Sequence, residues 1–185
     1  CAPMDDLRFD VDSLADAVTD TTRMVFLCNP NNPTGTIVTT AEIERLLARL
    51  SKDVVLVIDE AYGEYAALGQ SHARGGSAGL AFGDSLPFVQ RHPNVIRLRT
   101  FSKIYGLAGL RVGYGIAHEA LIKRLYQVRQ PFNLGSIAQA AAVTALSDQA
   151  YVTESATAAV DGRDRLCDLL DELGLRYLPS WANFV

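Results

Sequence analysis

The sequence predicts an α/β protein: a three-layer, mostly parallel sheet flanked by helices, followed by the start of a smaller α+β unit. Two observations carry this. Apolar, β-branched runs alternate with helix-length segments, the pattern of strands buried on both faces and spaced by helices. The composition is 49% apolar over 185 residues, enough to bury the core of one ordinary domain.

The elements follow in order. Residues 23–28, 54–58, 94–99 and 111–116 read as strands, rich in Val, Ile and Leu. Between the first two lies a helix over 40–51, opened by Thr40 and carrying Glu42, Glu44, Leu46, Leu47 and Leu50. A second helix, over 118–129, follows the last strand. Ser136 is the expected cap of a helix over 137–146 that is apolar nearly all round and therefore predicted to be buried. A longer amphipathic helix over 150–173 ends at Gly174. Residues 175–178 and 182–185 read as the first strands of another unit. The domain boundary is placed near 150, dividing 1–150 from 151–185. Residues 73–79 form a Gly-rich stretch expected on the surface. The chain opens on Cys1 rather than methionine and stops inside an apparent strand, so it is read as the middle of a longer protein.

Charge and cysteine usage narrow the class. The net charge of −4 argues against nucleic acid as a bulk partner. No apolar stretch is long enough to span a bilayer, and no signal peptide is visible. Cys1, Cys28 and Cys167 are far apart and lack metal-ligand spacing, as expected of ordinary buried thiols in a reducing, cytoplasmic setting. Residues 91–129 hold eight Lys/Arg against the single acid Glu119. Most of these, Arg97 and Arg99 included, are expected on solvated helix faces and strand ends. Arg111 is set apart, because in its Gly-rich apolar context an unpaired charge is costly.

Three segments carry candidate chemistry. Only three lysines occur, and Lys103 sits in Arg99-Thr-Phe-Ser-Lys-Ile-Tyr-Gly-Leu-Ala-Gly-Leu-Arg111, beside the hydroxyls of Thr100 and Ser102 and eight residues before Arg111. A lone amine next to hydroxyls and a guanidinium suits a phosphate-bearing aldehyde cofactor. Lys52 and Lys123 read as turn and helix-surface residues. The loop from Cys28 through Asn29-Pro-Asn-Asn-Pro-Thr-Gly35 follows the first strand at the sheet edge where ligands bind, and it presents Asn32 from a rigid turn. It also reads simply as a turn. The strand at 54–58 runs into Asp59-Glu-Ala-Tyr62, an acid that is expensive at a buried strand end unless paired. Asp59 is compatible with a backbone-bonding structural role. It also suits a magnesium-binding acid of a nucleotide-hydrolysing site, although no phosphate-binding Gly-Lys loop is visible. His72, His92 and His118 are expected at surface or capping positions, and Tyr105 is expected in packing.

Taken together, Asn32, Asp59, Tyr62 and Lys103 in this order resemble the site of the fold-type I, class I/II aminotransferases, over essentially the whole chain. The resemblance implies the cofactor pyridoxal 5'-phosphate and a large cofactor-binding domain of which 1–150 is the central part. Residues 151–185 would begin the small C-terminal domain. It implies that Lys103 forms the Schiff base and shuttles the substrate proton, and that Asp59 pairs with the pyridine nitrogen. Asn32 and Tyr62 would bond the phenolic oxygen, and Thr100, Ser102 and Arg111 would hold the phosphate. It further implies small-molecule substrates, an amino donor and a 2-oxo acid, and a homodimer. The segments at 29–35, 100–114 and 129–133, with Ala138-Gln139, are most similar to the branch that exchanges an amine between glutamate and imidazole-acetol phosphate in histidine synthesis. Aromatic amino-acid aminotransferases share much of this wording, and a regulator that senses the cofactor without catalysis is a further alternative. Gly135 departs from the polar residue the resemblance leads one to expect. The remaining phosphate loop and the ring that stacks on the cofactor are expected upstream of residue 1, with the substrate-binding arginine downstream of 185. By itself the chain is expected to lack turnover.

Overall fold

Arg8 and Phe9 (β2, Arg8–Phe9) pair antiparallel with Met4–Asp5 (β1) in a small ribbon ahead of the first helix, α1 (Val11–Asp16). The structure, a computed structural model, describes residues 2–68 and 80–185. Cys1, His72 and the Gly-rich stretch at 73–79 lie outside the described residues. The four predicted strands are present as β3 (Met24–Cys28), β4 (Val55–Asp59), β5 (Val95–Thr100) and β6 (Gly113–Ala117), in that spatial order. The first three run parallel and β6 closes the set antiparallel, so the sheet is mostly parallel, as predicted.

Between the strands lie α2 (Thr40–Arg49), α3 (Gly63–Leu68) and α4 (Leu86–Arg91). After the sheet come α5 (Glu119–Val128), α6 (Ser136–Ser147) and α7 (Gln149–Glu172). The cap of α2 is Thr39 rather than Thr40. Its hydroxyl accepts from Glu42 N, and Glu42 answers on the Thr39 N–H, a reciprocal capping box. His118 caps α5 through Nδ1, which accepts from Ala120 N at 3.2 Å.

One core lies under the sheet, where Leu27, Leu56, Ile58 and Val95 meet Ile43, Leu46 and Phe88 from the helices. Only β4 is buried almost throughout. β3 alternates, with Met24 52% and Phe26 62% exposed, so burial on both faces does not extend to that edge strand. A second core forms beyond the strand ends from Tyr62, Phe101, Ile104, Ala138, Val152 and Ala156.

Two expectations fail. α6 is not buried: Ala138 and Ala142 pack inward, while Ile137, Val143 and Leu146 stay exposed, since no described element covers that face. Its cap is Gly135, which has no side chain to bond the first turn, and Ser136 is already helical. Residues 175–178 and 182–185 form no strand among the described residues. A strand needs a paired edge, and the segment instead lies against the 29–35 loop, with Trp181 N donating to Gly35 O at 2.8 Å.

Candidate active site

The site forms at the C-terminal ends of β3, β4 and β5. The ladder pairs Cys28 with Asp59, and Asp59 with Leu98. The loops that leave these three strands therefore start side by side, where ligands bind in open parallel sheets.

The first loop is held from below by Asn29, fully buried, whose amide donates to Val38 O at 3.0 Å and whose oxygen accepts from Val38 N at 2.8 Å. Asn31 and Gly35 close the turn, with Gly35 N donating to Asn31 O at 2.8 Å. This leaves Asn32 pointing across to the turn after β4, where its Nδ2 donates to the Tyr62 hydroxyl at 2.9 Å. Asp59 Oδ1 accepts from Ala61 N at 3.0 Å, an Asx turn that sends the chain from β4 into α3. Among the described residues its other oxygen forms no hydrogen bond, so the backbone-bonding role accounts for half of the carboxylate.

Lys103 sits in the turn after β5. Phe101 and Ile104, 3% and 2% exposed, anchor that turn on both sides of it. Gly106 provides the left-handed residue (φ +68°) that lets Gly106 N return to Lys103 O at 2.9 Å. With its neighbours pinned inward, the lysine projects out, and its Nζ stands 5.1 Å from the centre of the Tyr62 ring. Cys28, Asn32, Asp59, Tyr62 and Lys103 line one cleft of about 170 Å³. Burial, and then the charge of Asp59, push the Cys28 thiol up, which keeps it protonated beside this cleft.

Thr100, Ser102 and Arg111 do not line this cleft. Thr100 Oγ1 accepts from Ser102 N at 3.0 Å, and Arg111 Nη1 donates to Ala108 O at 2.8 Å and to Ser102 Oγ at 3.5 Å. Arg111 is exposed, not buried in an apolar setting, and adopts a left-handed backbone (φ +52°) at the end of the 3₁₀ turn Ala108–Leu110. Ser102 and Arg111 thus meet in solvent, as a cradle for an external anion requires.

Several participants were not legible as such. Phe184 packs edge-on against Tyr62 at 5.2 Å between ring centres, so the C-terminal segment buttresses the site. Arg97 and Arg99, expected on solvated strand ends, are instead among the most buried charges. Both bond Glu60, which is fully buried, at 2.7 Å and 2.9 Å through their Nε atoms. The signal available was their spacing of two, which puts both on one strand face. Tyr105 packs on Phe101, as expected. Burial, with the nearby Glu64 charge, pushes its hydroxyl up to about 12. Lys123 pairs with Glu119 at 2.6 Å on the exposed face of α5.

The profile of the family described as aminotransferase class I and II matches residues 1–185. A histidinol-phosphate aminotransferase 2 of Carboxydothermus hydrogenoformans is 46% identical over 99% of this chain and 48% of its own length. A histidinol-phosphate aminotransferase of Brevibacillus brevis is 45% identical over 99% of this chain and 47% of its length. The chain thus spans about half the length of these relatives. Among solved structures, the histidinol-phosphate aminotransferase of Sinorhizobium meliloti in complex with pyridoxal-5'-phosphate superposes with a TM-score of 0.82 at 33% identity, over 97% of this chain and 46% of that one.

Proposed function

Because the chain belongs to the class I and II aminotransferase family, we propose that it carries the cofactor-binding chemistry of a pyridoxal-phosphate-dependent transamination between histidinol phosphate and 2-oxoglutarate. The observation that carries this reading is the convergence of Asn32, Asp59, Tyr62 and Lys103, from three segments, on one cleft. The names borne by relatives at about 45% identity support the substrate. In this reading 1–150 belongs to a cofactor-binding domain, 151–185 begins a smaller one, and the working assembly is a homodimer.

The donor set fits the cofactor. Lys103 is an exposed amine with no ion pair among the described residues, as a nucleophile for an aldehyde requires. Asp59 keeps one carboxylate oxygen for a pyridine N–H, and the bonded pair Asn32–Tyr62 offers donors to a phenolic oxygen. Ser102 and Arg111, with Thr100 ordering the loop between them, would hold the phosphate. When bound, pyridoxal phosphate supplies an electron sink for the pair left as the substrate Cα loses its proton. Lys103 would take and return that proton. Asp59 would stabilise positive charge on the ring nitrogen.

The test is spectroscopic. Lys103→Ala is expected to abolish both the visible cofactor band of the loaded intact protein and its fixation by borohydride; survival of either refutes the role of Lys103. Single-turnover bleaching of that band by histidinol phosphate, beside phenylalanine at equal concentration, assigns the substrate. Faster bleaching by phenylalanine moves the protein to the aromatic branch. Sedimentation of the loaded protein at monomer mass overturns the homodimer.

A further inference from the structure

Arg99 is the penultimate residue of β5, one before Thr100 and four before Lys103. Its side chain is 8% exposed, and its planar fork engages two acids at once. Nε donates to Glu60 Oε2 at 2.9 Å, Nη2 reaches the same oxygen at 2.7 Å, and Nη1 pairs with Glu64 Oε1 at 2.8 Å. These acids stand two residues before and two residues after Tyr62, so one guanidinium spans the turn that carries the tyrosine. Gly63 lies against it, where a Cβ would meet Arg99 Cζ at 2.8 Å. Arg97 completes the group: its Nε donates to Glu60 at 2.7 Å, and Nη2 reaches Asp84 at 3.1 Å. The other Glu60 oxygen accepts from Ser85 N at 2.9 Å.

We propose that Arg99 is a positioning residue of the active site, a role that rests on the function proposed above. It ties the strand that leads into the Lys103 turn to the turn that bears Tyr62, and so fixes the tyrosine hydroxyl relative to the lysine and to Asn32. An exposed ion pair could not do this, because solvent lets it slide. A buried, two-acid fork is directional, and a lysine's single ammonium cannot span both carboxylates. Gly63 is the sequence trace of the same contact, since any side chain there displaces the guanidinium.

The test separates positioning from support of the fold. In the intact protein loaded with pyridoxal phosphate, the visible cofactor band is titrated with pH in the native protein, in Tyr62→Phe, in Arg99→Lys and in the double variant. Arg99→Lys is expected to move the midpoint in the same direction as Tyr62→Phe, by up to about one pH unit. In the Tyr62→Phe background it is expected to add nothing, because both changes act through one hydroxyl. An unmoved midpoint in Arg99→Lys, or a full further shift in the double variant, overturns the proposal while leaving the functional reading in place. If Arg99→Lys does not fold, Glu64→Gln, which weakens only the far half of the fork, is read the same way. No visible band in the native protein, with no cofactor fixed on Lys103 by borohydride, overturns the function on which the proposal rests.

Discussion

Gly35→Ala strikes the site from its least chemical residue. Gly35 adopts φ +70°, where an L side chain costs about 1–2 kcal/mol. Its new Cβ would lie 2.1 Å from Ser180 Oγ and 3.0 Å from Ser180 Cα, so the backbone at 178–182 has to retreat and not merely turn a hydroxyl. Retreat breaks the bond from Trp181 N to Gly35 O, a further loss of about 1 kcal/mol. It also uncovers part of Trp181, now 4% exposed over Ile37, Ala66 and Phe82. Exposing roughly 40 Å² of that ring adds about 1 kcal/mol. The total, about 3–4 kcal/mol, is a large share of the roughly 5–15 kcal/mol of an ordinary domain. Urea unfolding of the intact protein measures the loss, and the part of its emission that a Trp181→Phe variant removes locates it. The Gly35→Ala/Ser180→Gly pair is expected to recover about 1–2 kcal/mol, the steric part, while the backbone part remains. A single variant that loses under about 0.5 kcal/mol would falsify the argument, since neither the left-handed backbone nor the contact with Ser180 would then matter.

Further tests address charge and reactivity. Glu60→Leu removes the acid shared by two buried guanidiniums, leaving Arg97 only Asp84 and Arg99 only Glu64, and is expected to cost about 3 kcal/mol in chemical denaturation, against under about 0.5 for an exposed acid such as Glu119; equal effects refute the buried network. Burial works against the ionised form of Glu42, but bonds from Arg8 and Thr39 outweigh it and hold the carboxyl at about 2, below its usual 4.5. Because the folded value is depressed, this stabilisation is present above about pH 4.5 and lost as pH falls towards about 2. For a partly exposed pair, about 1–2 kcal/mol is expected after solvent screening. Glu42→Gln should accordingly flatten the acid limb of the stability profile, and an unchanged limb contradicts the assignment. Cys28, with its thiol pushed up by burial and Asp59, should react with iodoacetamide more slowly in the native protein than after unfolding, and faster in Asp59→Asn. Equal native and unfolded rates rule this out.

What the sequence disclosed follows from where physics acts locally. Asn32, Asp59, Tyr62 and Lys103 each sit at a strand end or tight turn, where residue type and spacing are themselves the signal. The β3–β4–β5 order then brings them together without further information. Arg97 and Arg99 were opaque for the opposite reason. Alternate arginines look like a wetted strand face until the register sets Arg97 beside Ile58, and hence Glu60 within reach of both. α6 shows the limit of composition: Ile137 and Val143 announce a helix that wants cover, but not which element supplies it. Residues 175–178 and 182–185 were apolar enough for strands but pair with no strand among the described residues, which no local pattern can report.

The turn around Lys103 is moored by the buried side chains of Phe101 and Ile104, and the lysine enters it only through its backbone carbonyl, which accepts from Gly106 N. Under the proposed function, chemistry and architecture therefore answer to different residues here. A descendant could exchange the amine for another group and keep the same contour, just as drift in the mooring could silence an intact lysine. Inheritance of the shape and inheritance of the reaction are, at this turn, separately heritable traits.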